Sequence, residues 1–271
     1  VNRPALVLAC LALLIACSEE SRTRLRARSG DAQAQLALAR QLLGGEGGAR
    51  DAAAAADWYR QAAEQGNAEA RSALVELLEA EPALARDPGE TLRWTKAAAE
   101  AGDASAQLRM AQAYTEGRGL PRDPEAAVDW YRKAAEQGVR AAQSELARRY
   151  ESGDGAVMDP AEAERWSTRA AESGDPEAQL RLAARYAAGS GVPRDPKQAV
   201  LWYQRAAESG VVEAQFQLAS HLRQGEGVER DAAAAARWSQ AAAQQGHVQA
   251  QFELGRMYLE GEAPAQNEMQ A

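Results

Sequence analysis

The chain has 271 residues, is 46% hydrophobic and carries a formal net charge of −8, enough for one extended or two compact folded domains. The acidic balance speaks against a nucleic-acid binder, which presents a dense basic face. Both cysteines, Cys10 and Cys17, lie in the first 17 residues, and His221 and His247 are the only histidines; the body can form neither an internal disulfide nor a Cys-based zinc site, and nothing calls for a metal or cofactor.

At the N-terminus Arg3 precedes an apolar run from Ala5 to Ala16, and Cys17 follows. The run is shorter than the roughly 20 apolar residues a membrane-spanning helix needs, and has the length of a signal-peptide core. Leu14-Ile15-Ala16-Cys17 resembles the lipobox of bacterial lipoproteins. That resemblance implies a signal peptide over residues 1–16 and a diacylglycerol on the Cys17 thiol. It also implies an envelope lipoprotein held to the membrane by its lipid. Ser18, where Asp would favour the inner membrane, implies the outer membrane and a periplasm-facing body. Residues 17–30 then form the lipidated cysteine and a tether. Its Arg22, Arg24, Arg26 and Arg28 could meet anionic headgroups at roughly 1 kcal/mol each. The alternative, favoured because Ser29-Gly30 matches the way later helices end, is a polar helix covering the end of the stack.

From Asp31 onward the chain repeats. Trp58, Trp94, Trp130, Trp166, Trp202 and Trp238 are each 36 residues apart. The same step carries Gly30 through Gly246, and Asp51 through Asp231. Abundant alanine favours helix. In the unit 103–138, Asp103 is placed to cap a first helix. Ala106, Leu108, Met110, Ala111 and Tyr114 form its apolar face, and Gly117-Arg118-Gly119 ends it. Asp123-Pro124 opens a second helix, whose apolar face is Ala127, Trp130, Tyr131, Ala134 and Ala135. Gly138 ends that helix. Each unit is thus a hairpin of two helices that cannot bury its own apolar face and must stack on its neighbours. The expected fold class is all-α, a right-handed α-solenoid of 36-residue hairpins. The expected units are 31–66, 67–102, 103–138, 139–174, 175–210, 211–246 and a partial 247–271. The tryptophans are assigned to the core, and Pro264 with the polar tail 266–271 to a frayed end.

The pattern resembles the Sel-one-like repeat (SLR) family, related to tetratricopeptide repeats. The resemblance rests on Ala106-Gln107, Ala178-Gln179 and Ala214-Gln215, on Tyr114 and Tyr186 before Gly-x-Gly, and on Trp130-Tyr131 and Trp202-Tyr203. It also rests on the Ala-Ala…Gly ending, and it covers Asp31 to about Gly261. It implies a solenoid used for protein–protein contact. One unit departs. Glu79 to Arg86 lacks the Gly-x-Gly link, and Arg71-Ser72 replaces Gln-Leu, so different turn chemistry, a local bend or lower stability is expected there.

Three functions can be weighed. The first is an envelope scaffold whose groove binds a protein or peptide. The second is a cell-wall or polysaccharide-binding or export accessory, which exposed aromatic platforms would support. The third is β-lactam binding or hydrolysis. The cysteine-rich family members associated with that activity carry a cysteine pair per repeat, absent here. No Ser-x-x-Lys occurs, and Ser105, Ser144 and Ser220 lack the paired base a nucleophile needs, so no catalytic residue is assigned. On the first helices, slots four apart vary from unit to unit, as a ligand-reading surface would. The candidate groove residues are Arg109, Glu145, Arg149, Arg181, Arg185, Gln217 and His221. In related solenoids first helices line the concave side. Arg149, Arg185 and His221 would then form a column suited to an anionic, carboxylate-bearing partner.

Overall fold

This computed structural model describes residues 21–46 and 48–262. The lipobox, Cys17 and the tail from Pro264 lie outside the described residues. Among those described, every regular element is helical. A helical stretch over 21–28 is followed by α1 (Ala32–Gly44), α2 (Ala52–Glu64), α3 (Ala68–Ala80), α4 (Glu90–Glu100), α5 (Ala104–Glu116) and α6 (Pro124–Glu136). After these come α7 (Arg140–Ser152), α8 (Pro160–Glu172), α9 (Pro176–Ala188) and α10 (Pro196–Glu208). The chain ends with α11 (Val212–Gln224), α12 (Ala232–Gln244) and α13 (Val248–Leu259). Odd numbers are the first helices of hairpins, even numbers the second.

The chain divides into two compact units, 1–137 and 138–271. In the first, successive helices from α1 to α6 pack on one another in order; in the second, successive helices from α7 to α13 do the same. Sequential packing of this kind is that of a helix-hairpin solenoid. The stretch 21–28 sits against the first hairpin through Ala27, which is buried with Ala34 and Leu38, and Arg26 pairs with Asp31 at 2.5 Å. Residues 21–28 thus form a helix against the end of the first hairpin.

The repeating residues each have a local task. Asp51, Asp123, Asp159, Asp195 and Asp231 accept backbone N–H bonds at the starts of second helices, a contribution of about 1 kcal/mol per cap. First helices are capped by Asp31, Asn67, Asp103 and Asp175, and α13 by the ring of His247. Val139 and Val211 supply no side-chain cap. The buried glutamines bind hairpin to hairpin. Gln107 donates to Ala99 O at 3.2 Å and accepts from Gln137 at 2.7 Å. Gln35 with Gln65, and Gln215 with Gln245, repeat the pairing at 2.7 and 2.9 Å.

The alanines of the Ala-Ala pairs are nearly all buried. The tryptophan column is less uniform than expected. Trp166 and Trp202 are buried, whereas Trp58, Trp94, Trp130 and Trp238 are half-buried. All four still pack on the core clusters, and Lys133 lies 3.9 Å over the Trp130 ring. At Trp130 the cationic stem thus covers the ring at the outer margin of the seam.

The departing link behaves as its sequence implies. Pro82–Leu84 make a 3-10 turn, and α4 begins at Glu90 with no side-chain cap. Asp87, the cap in other repeats, instead accepts from Gly89 N at 2.9 Å and pairs with Arg93 at 2.7 Å.

Candidate functional site

A first helix in a stack is covered by its own partner helix and by the adjoining hairpin, and only one narrow arc stays open. On α9, at 100° per residue, Leu182, Ala183 and Tyr186 fall within about 140° of Ala178 on one side, while Glu177, Arg181, Ala184 and Ala188 cluster opposite. Those four are the exposed residues of this helix apart from its ends. Arg185 lies only about 20° from Ala178 on the same wheel. It therefore belongs to the edge of the buried arc.

The seven expected groove residues separate accordingly. Arg181 is exposed. Gln217 is half-buried and donates to Glu213 Oε1 at 2.7 Å. Arg109 is one-quarter exposed, its Nε 2.8 Å from Glu79 Oε2. Glu145 binds Arg148 at 2.6 Å and Arg149 at 3.1 Å. These four do share the first-helix stripe. The other three correct the expectation. Arg149 has no exposed side-chain surface and pairs with Glu145 and, at 3.2 Å, with Asp154. Arg185 reaches across to Glu164 on α8 at 2.7 Å. His221 is buried, with Nδ1 3.0 Å from the Glu226 carbonyl oxygen and its ring 5.4 Å from that of Tyr203. The cationic column points into the seams between helices.

What remains on the stripe is of mixed sign. In the first unit Arg40 pairs with Glu69. In the second, Arg256 pairs with Glu253 at 2.6 Å, and Arg223 is held by Glu253, Glu260 and Glu262 at 2.6–2.8 Å. The position after each tryptophan sets the floor beneath the stripe, and it alternates: Tyr59, Thr95, Tyr131, Ser167, Tyr203, Ser239. At two of the three small residues clefts open: about 550 Å³ above Thr95 and about 530 Å³ above Ser239. Neither the four-residue arc nor this alternation was part of the groove reading, although both follow the same 36-residue step.

Among the described residues no group of three His, Cys, Asp or Glu could hold a metal ion, and no helix is long and apolar enough to cross a membrane. Ser144 donates to the capping carboxylate of Asp175 at 2.7 Å, a structural bond between repeats.

The comparisons agree with this architecture. No curated protein matches the chain. Among solved structures, a protective antigen of uropathogenic Escherichia coli displaying an SLR fold is similar at 34% identity and TM-score 0.77, over 91% of this chain and 53% of that one. This chain thus spans about half the length of that protein. A Sel1 repeat protein from Oxalobacter formigenes is similar at 31% identity and TM-score 0.69, over 88% of this chain and 69% of that one. The Sel1 repeat itself matches residues 31–67, 76–103, 104–139, 140–175, 176–211, 212–247 and 248–271, in step with the hairpins described above, and the chain belongs to the Sel1 repeat family.

Proposed function

We propose that this protein is a bacterial envelope lipoprotein that acts as a non-enzymatic protein-binding scaffold, with the open arc of the first helices as its contact surface. The observation that carries the reading is that arc. It is the face the chain leaves uncovered, and its side chains change from repeat to repeat while the buried Ala-Ala pairs do not. Binding of a protein or peptide by such a surface is what the family's solenoids are suited to. The finer reading, an anionic partner, now rests on Arg109 and Arg181 alone of the expected cations. The envelope location rests on the lipobox.

Two experiments test this. Affinity purification of the full chain from envelopes should recover a partner, and Arg181→Glu with Gln217→Lys should reduce its recovery at unchanged melting temperature. Equal recovery by the double variant overturns the arc as the contact surface. Cys17→Ser should leave an uncleaved precursor that does not partition with membranes; a processed variant still in the outer membrane overturns the lipoprotein reading.

A further inference from the structure

The clefts above Thr95 and Ser239 lie four repeats apart at equivalent positions, and they differ in how full they are. Above Ser239 the facing first-helix residue is Met257, and the Arg223 carboxylate network closes one side. Above Thr95 the facing residue is Ala113, so both sides of the seam are small. At the equivalent place, three other seams are filled from within. Tyr59 faces Leu77 and is buried among Leu74 and Leu78. Its hydroxyl sits against the Arg40 guanidinium, which opposes the upward push of burial on its pKa. Tyr203 packs on His221. Ser167 has Arg185 opposite, anchored on Glu164.

From this comparison we infer that the notch between α3 and α5 above Thr95 is a pocket for one tyrosine side chain of the bound partner, replacing the ring that Tyr59 and Tyr203 supply in sister hairpins. The notch has an apolar wall, Leu92 and Ala113, and a polar rim, Gln112 and the Arg109–Glu79 pair. Gln112 borders the notch from α5 and offers an amide at its rim. An arginine side chain is disfavoured. The slot that holds Glu164 beneath Arg185 is Leu92 here, and Glu79 is already neutralised by Arg109. A guanidinium in the notch would be desolvated without a counter-charge. An aromatic ring in a site with a polar exit suits tyrosine, whose body is apolar and whose tip is wet. Thr95 does not compete for the ligand hydroxyl, because its own hydroxyl donates to Thr91 O at 2.8 Å.

The inference rests on the reading of the first-helix face as a protein-binding surface, but its test needs no partner. The full chain is titrated with N-acetyl-tyrosinamide, and with N-acetyl-leucinamide and N-acetyl-argininamide in parallel, following amide resonances by NMR. The expected result is saturable shifts confined to Thr91, Leu92, Thr95 and Gln112 for the tyrosine probe alone, with a dissociation constant in the millimolar range that a probe of this size reaches. Thr95→Tyr, which installs the sister-repeat residue, should abolish them. If circular dichroism shows that variant unfolded, Ala113→Leu, which installs the Leu77 pairing, serves in its place. Absent or non-saturable shifts, equal shifts with the leucine or arginine probe, or shifts that survive the filled notch each overturn the inference. Loss of the scaffold reading through the Arg181 and Gln217 variants leaves the titration result intact, and a failed titration leaves those variants' result intact.

Discussion

Arg149 is a fully buried cation whose Nε and Nη1 lie 3.1 and 3.2 Å from Glu145 and Asp154. Reversing its charge would bury a carboxylate against the two partly exposed carboxylates of Glu145 and Asp154. Arg149→Glu is expected to cost about 3–5 kcal/mol, the range for breaking a buried pair, whereas Arg181→Glu on the open arc should stay within about 0.5 kcal/mol. Urea melts of the two variants check this, and equal midpoints would return Arg149 to the surface. A second residue-scale contrast lies in the glutamine pairs. Gln65, Gln137 and Gln245 donate to the glutamine 30 residues before them, but the corresponding partner of Gln179 is Ser209, and the Gln179 Oε1 is buried without a partner. Ser209→Gln should therefore stabilise the protein by about 1 kcal/mol, the net value of one intramolecular hydrogen bond, seen as a raised denaturation midpoint. A lowered midpoint would mean the longer side chain does not fit the seam.

At the scale of the element, the links between helices carry the specialised chemistry. Gly227 adopts φ +78°, and a Cβ there would lie 2.2 Å from the Pro196 carbonyl oxygen, at the start of the second helix one repeat earlier. Gly246 has a similar φ of +87° with open space around it. Alanine at Gly246 meets only the left-handed conformational penalty, about 1–2 kcal/mol. Alanine at Gly227 must also push two backbones apart, so its melting temperature should fall further; equal losses would show that the links do not touch in solution. The link of residues 81–89 is stabilised differently. Glu90 accepts from Arg60 Nε at 2.6 Å and from Arg86 N at 2.6 Å. These bonds, the Arg60 guanidinium foremost, hold its carboxyl down to about 2. Because the folded-state pKa lies below the ordinary 4.5, this contribution to stability is complete above about pH 5 and is lost as pH falls toward 2. The acid limb of melting temperature against pH should be shallower in Glu90→Gln over that window. An unchanged limb would assign the acid sensitivity elsewhere.

For the whole molecule, stacking makes stability a matter of nearest neighbours. Trp166 is fully buried on α8, in the unit 138–271. Trp166→Ala is expected to cost about 3–5 kcal/mol, as a large core truncation does. Hydrogen exchange should speed first in α7 to α9, with α1 to α3 keeping their protection. Uniform loss along the chain would instead show all hairpins melting as one. The half-buried Trp130 should cost less than Trp166 on truncation, which melts of the two variants compare directly.

The 36-residue step of Trp, Gly and Asp was sufficient by itself to determine the hairpins and most caps of the second helices, because each of those features depends on a few residues near in sequence: an Asp accepts from the N–H three residues on, and a glycine closes the turn it stands in. The departure at residues 81–89 was legible for the same reason, since the missing Gly-x-Gly is local. The direction of Arg149, Arg185 and His221 was not legible. A helix wheel drawn for one seam gives the polar arc too much room, and a stacked first helix is covered from two sides. Whether Arg185 faces solvent depends on Glu164, 21 residues away on another helix, and whether the seam above Thr95 is open depends on Ala113 in the next hairpin. Such pairings arise only when hairpins are set against one another; tertiary packing, by deciding which side chains fill each seam, decided which surface was left open.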